Sequence, residues 1–450
     1  MSTFRLRSAL GLVLAAGLTL SATACGGDDE KPAGGKVTLV INGLPPATEK
    51  ATHDRFLANV AEFEKANPDI DIDAREGKMD PQTFPAKLAG GQLEDVFYVY
   101  FTDPANLIAK RQVADISKYL GDFPVTSQLK PEVLRVFQDG DGKTYGLPYK
   151  NYSMGLLYNR DLFSKAGLDP ENPPKTWAEV RTAARKIAEL GKDTVGYGDY
   201  SKNNTGGWHF TTEIYSLGGE VAVNEGGTWK AAFNSPQGKQ VLQQLKDMRW
   251  TDDSMGAKQL LEWADLLNQM GSGKLGMYLA TADNIPTIVN QYKGKYETYG
   301  LGPIPDGKGT LGGGEGYMFK AGLSADKIRA GLKWLTFWFT SADRYEAENK
   351  WSSETKQPVG LPEPAIFTGS AAQTQAAADK KYANVPQANY APFVASMGSI
   401  PVKLEPPNAQ QIYAVLDVAM QKVLTDRNAN VDQLLADAET QVNQILTSVK

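Results

Sequence analysis

The chain is poor in the residues that build redox and metal chemistry. Cys25 is its one cysteine in 450 residues, so it can form no internal disulfide and no cysteine-based zinc cluster. Its two histidines, His53 and His209, are too few for an imidazole metal site. Any Ser-His-Asp or Cys-His mechanism would have to rest on one of them. A basic excess is also missing. The formal net charge is −5, and beyond the first 24 residues, which hold Arg5 and Arg7 and no acid, 45 bases face 52 acids. A nucleic-acid binder would ordinarily carry a basic face; this balance suits a protein outside the cell. After Cys25 no apolar run reaches the ~20 residues of a membrane-spanning helix. The 42% of apolar residues supports a sizeable core and excludes global disorder.

What is present begins with an address. Residues 1–24, "MSTFRLRSALGLVLAAGLTLSATA", combine a basic start, a short apolar run from Ala9 to Leu20, and small residues at the end. That is the grammar of a secretory signal peptide. The small residues end directly on Cys25, which resembles the bacterial lipobox, with Ala22 where leucine is usual. The resemblance implies a diacylglyceryl group on the Cys25 thiol, and the alternative is a plain signal peptide with a chance cysteine. Residues 25–36 continue as a polar, glycine-rich tether. The expectation is a protein anchored by lipid to the outer face of the cell membrane, not spanning it.

The mature chain alternates strand and helix patterns. "KVTLVING" reads as a strand, and Phe56, Val60 and Phe63 recur at helical spacing before Asn67-Pro68 ends the run. "DIDIDARE" alternates, a helical stretch surrounds Phe84 to Leu88, and "EDVFYVYF" is an apolar strand. The order β-α-β-α-β argues for an α/β fold with a largely parallel sheet. Further on, Thr176 and Glu179 form a capping box, and Ser235-Pro236 opens a helix. "KLGMYLA" is a short strand followed by the short helix "ADNIPTIVNQY". Ser324 caps a helix burying Ile328, Leu332, Leu335 and Phe339, and a last helix runs from Val431 to Val449. "TGSAAQTQAAADKKYANVPQANYAP" reads as a surface excursion.

Several stretches tempt a chemical reading. "DGDGKTYGLPYK", Asp139 to Lys150, fails as a calcium loop, because Lys143, Thr144 and Lys150 stand where an acid, a glycine and a glutamate are needed. Asp141-Gly142 is instead a hairpin signal. "LGGGEGYMF" lacks both the P-loop ending and the dinucleotide spacing, so its glycines mark a backbone passing close to a ligand or to a crossing strand. His209, beside Trp208, reads as a packed side chain. A glycosidase pair cannot be picked out of 52 acids by spacing. Aromatic residues total 43, and Tyr98, Tyr100, Tyr149, Tyr152, Trp208, Tyr278, Tyr317 and Trp351 fall in loops or at strand ends. Such rings match the apolar faces of sugars, although Tyr98 and Trp177 read as core.

At this point separated motifs line up. "DGKTYGLPYKNYSMGLLYNRDLFSKAGLD", "PPKTWAEV", "FNSPQGKQVLQQL", "GKLGMYLATADNIPTI", "YGLGPIPDGKGTLGGGEGYMF", "KWLTFWFTSADRYEAENKW" and "QPVGLPEP" resemble the sugar-binding proteins of bacterial ABC importers, the maltose-binding-protein-like family. The likeness covers about residues 36–365, in the family's order. It implies two α/β lobes joined by a hinge, with a sugar or oligosaccharide held in the cleft and delivered to permease subunits in the membrane. It also implies a monomer without cofactor or metal, and no enzyme. The expected lobes are 37–150 and 281–325 for the first, and 151–280 and 326–450 for the second, with crossings near Tyr149–Gly155, Ala280 and Ala321–Asp326. By position the resemblance brings Asn42, Gly43, Leu44 and Glu49 to the cleft, then Tyr100 and Asp103, then Tyr149, Lys150 and Tyr152. Trp208 comes from the second lobe, and Thr281 and Asn284 follow the "GMYLA" strand, where the family often has a tryptophan. Gly313, Gly314 and Glu315 line the opposite side, and Trp351 and Gln357 close the rim. Rings would stack, and Asp103, Glu315 and Asn284 would bind hydroxyls. The same architecture binding a polyamine, anion or peptide stays open, as do an extracellular glycosidase and a purely structural lipoprotein.

Overall fold

The β-branched run after the tether forms β1 (Val37–Leu44), as its pattern predicts. The computed structural model describes residues 35–79, 83–340 and 342–449. The expected signal peptide and Cys25 lie outside them, as does all of the expected tether except Gly35 and Lys36. Eleven further strands follow among the described residues: β2 (Ile70–Glu76), β3 (Val96–Tyr100), β4 (Gly146–Ser153), β5 (Gly155–Asn159), β6 (Val195–Tyr197), β7 (Ala222–Glu225), β8 (Thr228–Ala231), β9 (Leu275–Ala280), β10 (Tyr299–Gly302), β11 (Thr310–Phe319) and β12 (Val402–Lys403).

They make two main sheets and one small hairpin. The first sheet runs β12-β11-β3-β1-β2, with β4 also paired to β11. The second runs β10-β5-β9-β6, and β7 pairs with β8. Within the first, β1 is parallel to β2 and β3, but β11 is antiparallel to both β3 and β4. In the second, only β6 and β9 are parallel. The sheets are therefore mixed, not largely parallel. The reason is that β4 and β11 travel between the sheets in opposite senses and pair as they pass.

Each sheet has its own core. Leu39, Ile41, Phe63 and Val96 pack with Ile328, Leu332 and Leu335 on the first. Leu156, Tyr158, Val180, Ile187, Leu245, Leu416 and Val442 pack on the second, beside a cluster of Leu157, Leu266, Tyr278, Ile285 and Phe393. These cores divide the chain differently from the expected bounds. After Ala280 the chain does not return: Ile285, Ile288, Tyr299 and Leu301 stay with the second core, and the crossing back is made by β11. Nor does it leave the first core near Ala321–Asp326, since Ile328, Leu332, Ile366 and Phe367 remain there. The apolar stripe of the helix Ala325–Thr340 was legible, but not which sheet it would cover. Ser324 Oγ accepts the Lys327 N–H at its start; the side chain of Phe339 lies outside those described.

Local signals hold elsewhere. Thr176 and Glu179 cap each other's backbone at the helix Trp177–Ala188, and Ser235 caps Pro236–Trp250. The stretch read as a surface excursion instead forms the helix Gly369–Tyr382 and a short turn at Gln387–Tyr390. It buries Ala378, Val385 and Tyr390, as its alanine content permits. Asp139 is consumed by its own turn. Its Oδ1 accepts the Asp141 and Lys143 N–H groups at 3.0 and 2.9 Å, its Oδ2 accepts the Tyr145 hydroxyl, and Gly142 sits at φ +78°.

The glycine run in β11 is explained by the crossing. A Cβ on Gly314 would lie 2.3 Å from the Lys150 carbonyl oxygen and 2.6 Å from the Phe101 ring, and one on Gly313 2.3 Å from the Tyr152 hydroxyl. Neighbouring backbone and rings occupy that space. Gly314→Ala should therefore destabilise the fold by about 1–3 kcal/mol through overpacking, read as a lower urea midpoint with an unchanged slope.

Candidate functional site

β4 and β11 carry the site because they are the strands that join the two sheets. Across them Gly313 faces Tyr152, Gly314 faces Asn151, and Glu315 faces both Lys150 and Tyr100. β3 finishes beside them, its last residue Tyr100 opposite Glu315, and β9 finishes at Ala280 opposite Gly155, just beyond β4. The first lobe supplies a cluster of rings. Tyr98 meets Tyr100 edge-on at 5.4 Å and Tyr317 at 5.8 Å, and Tyr149 meets Tyr317 at 6.0 Å. The Lys78 ammonium lies 5.0 Å over the Tyr98 ring and 3.4 Å from Glu315. The second lobe meets this wall through Trp208, which stands edge-on to Tyr152 at 6.2 Å.

Lys150 binds the two walls together. Its Nζ is 2.9 Å from Glu363 and 3.8 Å from Asp283 of the second lobe. Burial, which alone would lower its pKa, is outweighed by Glu363 and Asp283, and the group is held above its ordinary value. Lys150, Tyr152, Ser153, Thr281, Asp283 and Glu363 line one small pocket where the lobes meet.

Two carboxyls face this region from opposite lobes. Asp103 begins the helix Pro104–Ala109 and accepts the Tyr100 N–H at 3.0 Å. Burial pushes it up to about 7, against the lowering effect of that bond. Glu405 accepts the Tyr413 hydroxyl at 3.0 Å. It is also pushed up to about 7, chiefly by burial; the Tyr413 bond opposes the rise and the charge of Asp103 adds to it.

The expected site residues thus separate into three groups. Tyr100, Asp103, Tyr149, Lys150, Tyr152, Trp208, Thr281, Gly313, Gly314 and Glu315 come together where the lobes meet. A second group is spent on the fold. Asn42 Oδ1 accepts the Tyr98 N–H, and Leu44 is in the first core. A Cβ on Gly43, at φ +104°, would strike the Tyr317 hydroxyl. Asn284 gives its oxygen to the Trp263 indole N–H and its amide N–H to the Tyr278 hydroxyl, both at 3.3 Å. The third group has its contacts elsewhere. Glu49 is exposed at the start of the helix Lys50–Ala66. Trp351 lies under the Arg55 guanidinium at 5.6 Å. The Gln357 carbonyl accepts the Asn384 side chain.

Asp283, Glu363, Glu405 and Tyr413 were missed. Asp283 was within reach, two residues from Thr281 in the same loop. Glu363 was also within reach, inside the family-like motif "QPVGLPEP" that begins at Gln357, whereas Glu405 and Tyr413 lie far along the chain in segments without a motif. His209 is fully buried, its ring tilted against that of Tyr200 at 4.2 Å between centroids, and paired with Asp199. Burial lowers it to about 3, so it is a neutral core residue.

Residues 50–345 match the family model described as bacterial extracellular solute-binding protein. The chain belongs to that family. The solute-binding protein is 30% identical over 230 residues to the sn-glycerol-3-phosphate-binding periplasmic protein UgpB of Brucella abortus (strain 2308), covering 47% of this chain and 48% of that one. Its fold is similar to an ABC transporter solute-binding protein from Thermotoga lettingae TMO bound with α-D-tagatose (TM-score 0.71, 23% identity, 91% of this chain and 100% of that one). It is similar also to the GacH receptor of Streptomyces glaucescens, solved unliganded and with acarbose (TM-score 0.70, 20% identity, 92% and 100%). At these identities the structural likeness is one of fold: two lobes and a hinge. Solute-binding proteins of this family hold a small molecule and pass it to an ABC importer.

The two raised acids make stability depend on pH. Below about 3 both Asp103 and Glu405 are largely protonated whether folded or unfolded. As pH rises the unfolded carboxyls ionise from their ordinary 3.8 and 4.5 while the folded ones hold their protons to about 7. The folded state then binds more protons, so stability falls from about pH 4 to about pH 7. Asp103→Asn with Glu405→Gln should flatten that fall relative to the parent, read as melting temperature against pH.

Proposed function

We propose that the protein is a lipid-anchored receptor that captures a neutral sugar or oligosaccharide between its lobes, without turning it over, and delivers it to a membrane permease. The observation that carries this reading is the Tyr152–Trp208 pair: the hinge strand and the second lobe present edge-on rings to each other, flanked by the carboxyls of Asp103, Glu315 and Glu405. Flat apolar faces beside hydrogen-bond acceptors suit a ring with C–H faces and a belt of hydroxyls. Lobe closure about β4 and β11 would shape the surface that the permease reads. Proteins of known structure that share the fold were solved with tagatose and with acarbose, which favours the same class of solute.

Charge argues against a phosphate ester of the kind named for the glycerol-3-phosphate-binding relative. Asp103, Asp283, Glu315, Glu363 and Glu405 face the region, against Lys78 and Lys150. Both lysines are already paired. A phosphate ester would meet repulsion, with no unpaired lysine among these described residues to receive it. The same acid excess makes a polyamine the second reading.

A thermal-shift panel of mono-, di- and oligosaccharides, glycerol-3-phosphate, spermidine and a short peptide tests it. A matching saccharide at about 100 times its Kd should raise the melting temperature by about 3 °C, with no product formed. A shift by spermidine or glycerol-3-phosphate and by no sugar would sink the saccharide reading.

The anchor is a separate part of the proposal, resting on the lipobox-like "SATAC". The parent should sediment with membranes and carry radiolabelled palmitate. Cys25→Ser should lose the label and leave the pellet. An unlabelled parent would leave a plain signal peptide.

A further inference from the structure

The helix Thr205–Ser216 carries Trp208 in its first turn, and that turn has no cap of its own. Asn203 and Asn204 lead into it at φ +56° and +68°, both in the left-handed region. Asparagine tolerates that region better than most residues, but two in succession leave the helix without an ordinary start. The Asn204 side chain does not cap the helix; its amide N–H donates to Gln410 Oε1 at 3.2 Å. The first N–H groups of a helix have no acceptor inside it and must find one elsewhere.

Here the acceptor comes from 213 residues along the chain. Asp417 lies in the helix Ala409–Thr425 and is buried. Its Oδ2 accepts the Asn204 N–H and its Oδ1 the Gly207 N–H, each at 2.8 Å. One carboxylate thus spans the turn that immediately precedes Trp208. Its charge also suits the positive end of the helix. Two glycines make the fit possible. A Cβ on Gly206 would lie 2.7 Å from Asp417 Oδ1, and one on Gly207 would lie 2.3 Å from the Tyr413 Cα. A side chain at either position would lift the turn off the helix beneath it.

Asp417 is the middle of three residues that do this work. Tyr413, Asp417 and Gln421 recur every fourth residue, so they share one helical face. Gln421 donates to the Ser201 carbonyl at 2.6 Å. Tyr413 packs under Gly207 and donates its hydroxyl to Glu405 of the cleft. The loop 201–207 and a cleft carboxyl are therefore held on one rigid support. Trp208, half-buried, takes its place from this loop: its N–H donates to the Asn204 carbonyl at 3.2 Å, and its ring meets Tyr152.

We propose that Asp417, backed by Gln421, is a positioning residue for solute binding. Both its oxygens go to backbone; it acts by clamping the start of the helix Thr205–Ser216 from behind, which fixes the Trp208 ring against Tyr152. This rests on the saccharide reading above, in which Trp208 offers a face to the sugar. Without the clamp two N–H groups lose their acceptor, and the left-handed turn is free to relax. Trp208 then samples other positions, and a sugar must order it again on binding.

The test is calorimetric titration with D-tagatose, maltose, maltotriose and acarbose of the parent, Asp417→Asn, Gln421→Ala, Trp208→Ala and the two double variants that add Trp208→Ala. Each is first checked for a parent-like melting temperature. Asp417→Asn, which keeps the shape but turns one acceptor into a donor, should weaken the sugars the parent binds about tenfold. Gln421→Ala, a milder lesion of the same clamp, should weaken them about threefold, and it decides the matter if Asp417→Asn melts too low to titrate. In the Trp208→Ala background neither change should weaken binding by more than about twofold, the signature of residues acting through that ring; a general loosening of the lobe would add in full. If the parent binds and the clamp variants bind as tightly, or if their losses add to that of Trp208→Ala, the positioning role falls and the saccharide reading stands. If the parent binds none of the four sugars, both fall.

Discussion

The antiparallel pairing of β4 with β11 is the constraint on which the rest of the molecule depends. These strands leave one sheet for the other side by side, so the lobes are connected by paired backbone and not by loose linkers. Close pairing explains the glycines from 312 to 316, whose missing side chains leave room for Tyr152, Phe101, Phe137 and the neighbouring carbonyls. It also explains the mixed sheets, since two strands passing in opposite senses cannot extend a parallel order. A backbone of this kind can twist while its ladder persists, which is what a hinge requires.

The same strands decide what the cleft is made of. Side chains alternate along β4, so Tyr149 turns toward the first lobe's ring cluster, Lys150 to the acids of the segment that closes on it, and Tyr152 to Trp208. The lysine is satisfied before any solute arrives. What remains is a surface of rings and carboxyls, several of the latter holding protons more tightly than free carboxyls do. Such a surface is poor for an anion and good for hydroxyls, which can donate to a carboxylate or accept from a carboxylic acid. His209 shows the contrasting fate of a polar group in this protein: enclosed among Trp208, Tyr200 and Asp199, it is structural.

Much of this was legible in the chain, and the limits follow from where information is stored. Capping at Thr176, Ser235 and Ser324 was readable because a cap involves residues three apart. The failure of Asp139–Lys150 as a calcium loop was readable because the loop's ligands are contiguous. The lobe assignment of residues 281–372 was not, because an amphipathic helix advertises an apolar stripe but not the sheet it will cover. Asn284 and Trp263 make the same point. Twenty-one residues apart and without a shared motif, they meet only because β6 and β9 end at one edge.

The sequence by itself determined the class of the protein: the alternation of strands and helices, and membership of a solute-binding family. These depend on composition and on residues near one another along the chain. Only the tertiary structure decided that Asn42 and Asn284 are spent on other side chains and backbone, and that Lys150 is paired. It alone brought Glu363, Glu405 and Tyr413 to the cleft. Those outcomes depend on long-range contacts between lobes, and a side chain's availability is fixed by the partner it finds, not by its neighbours in sequence.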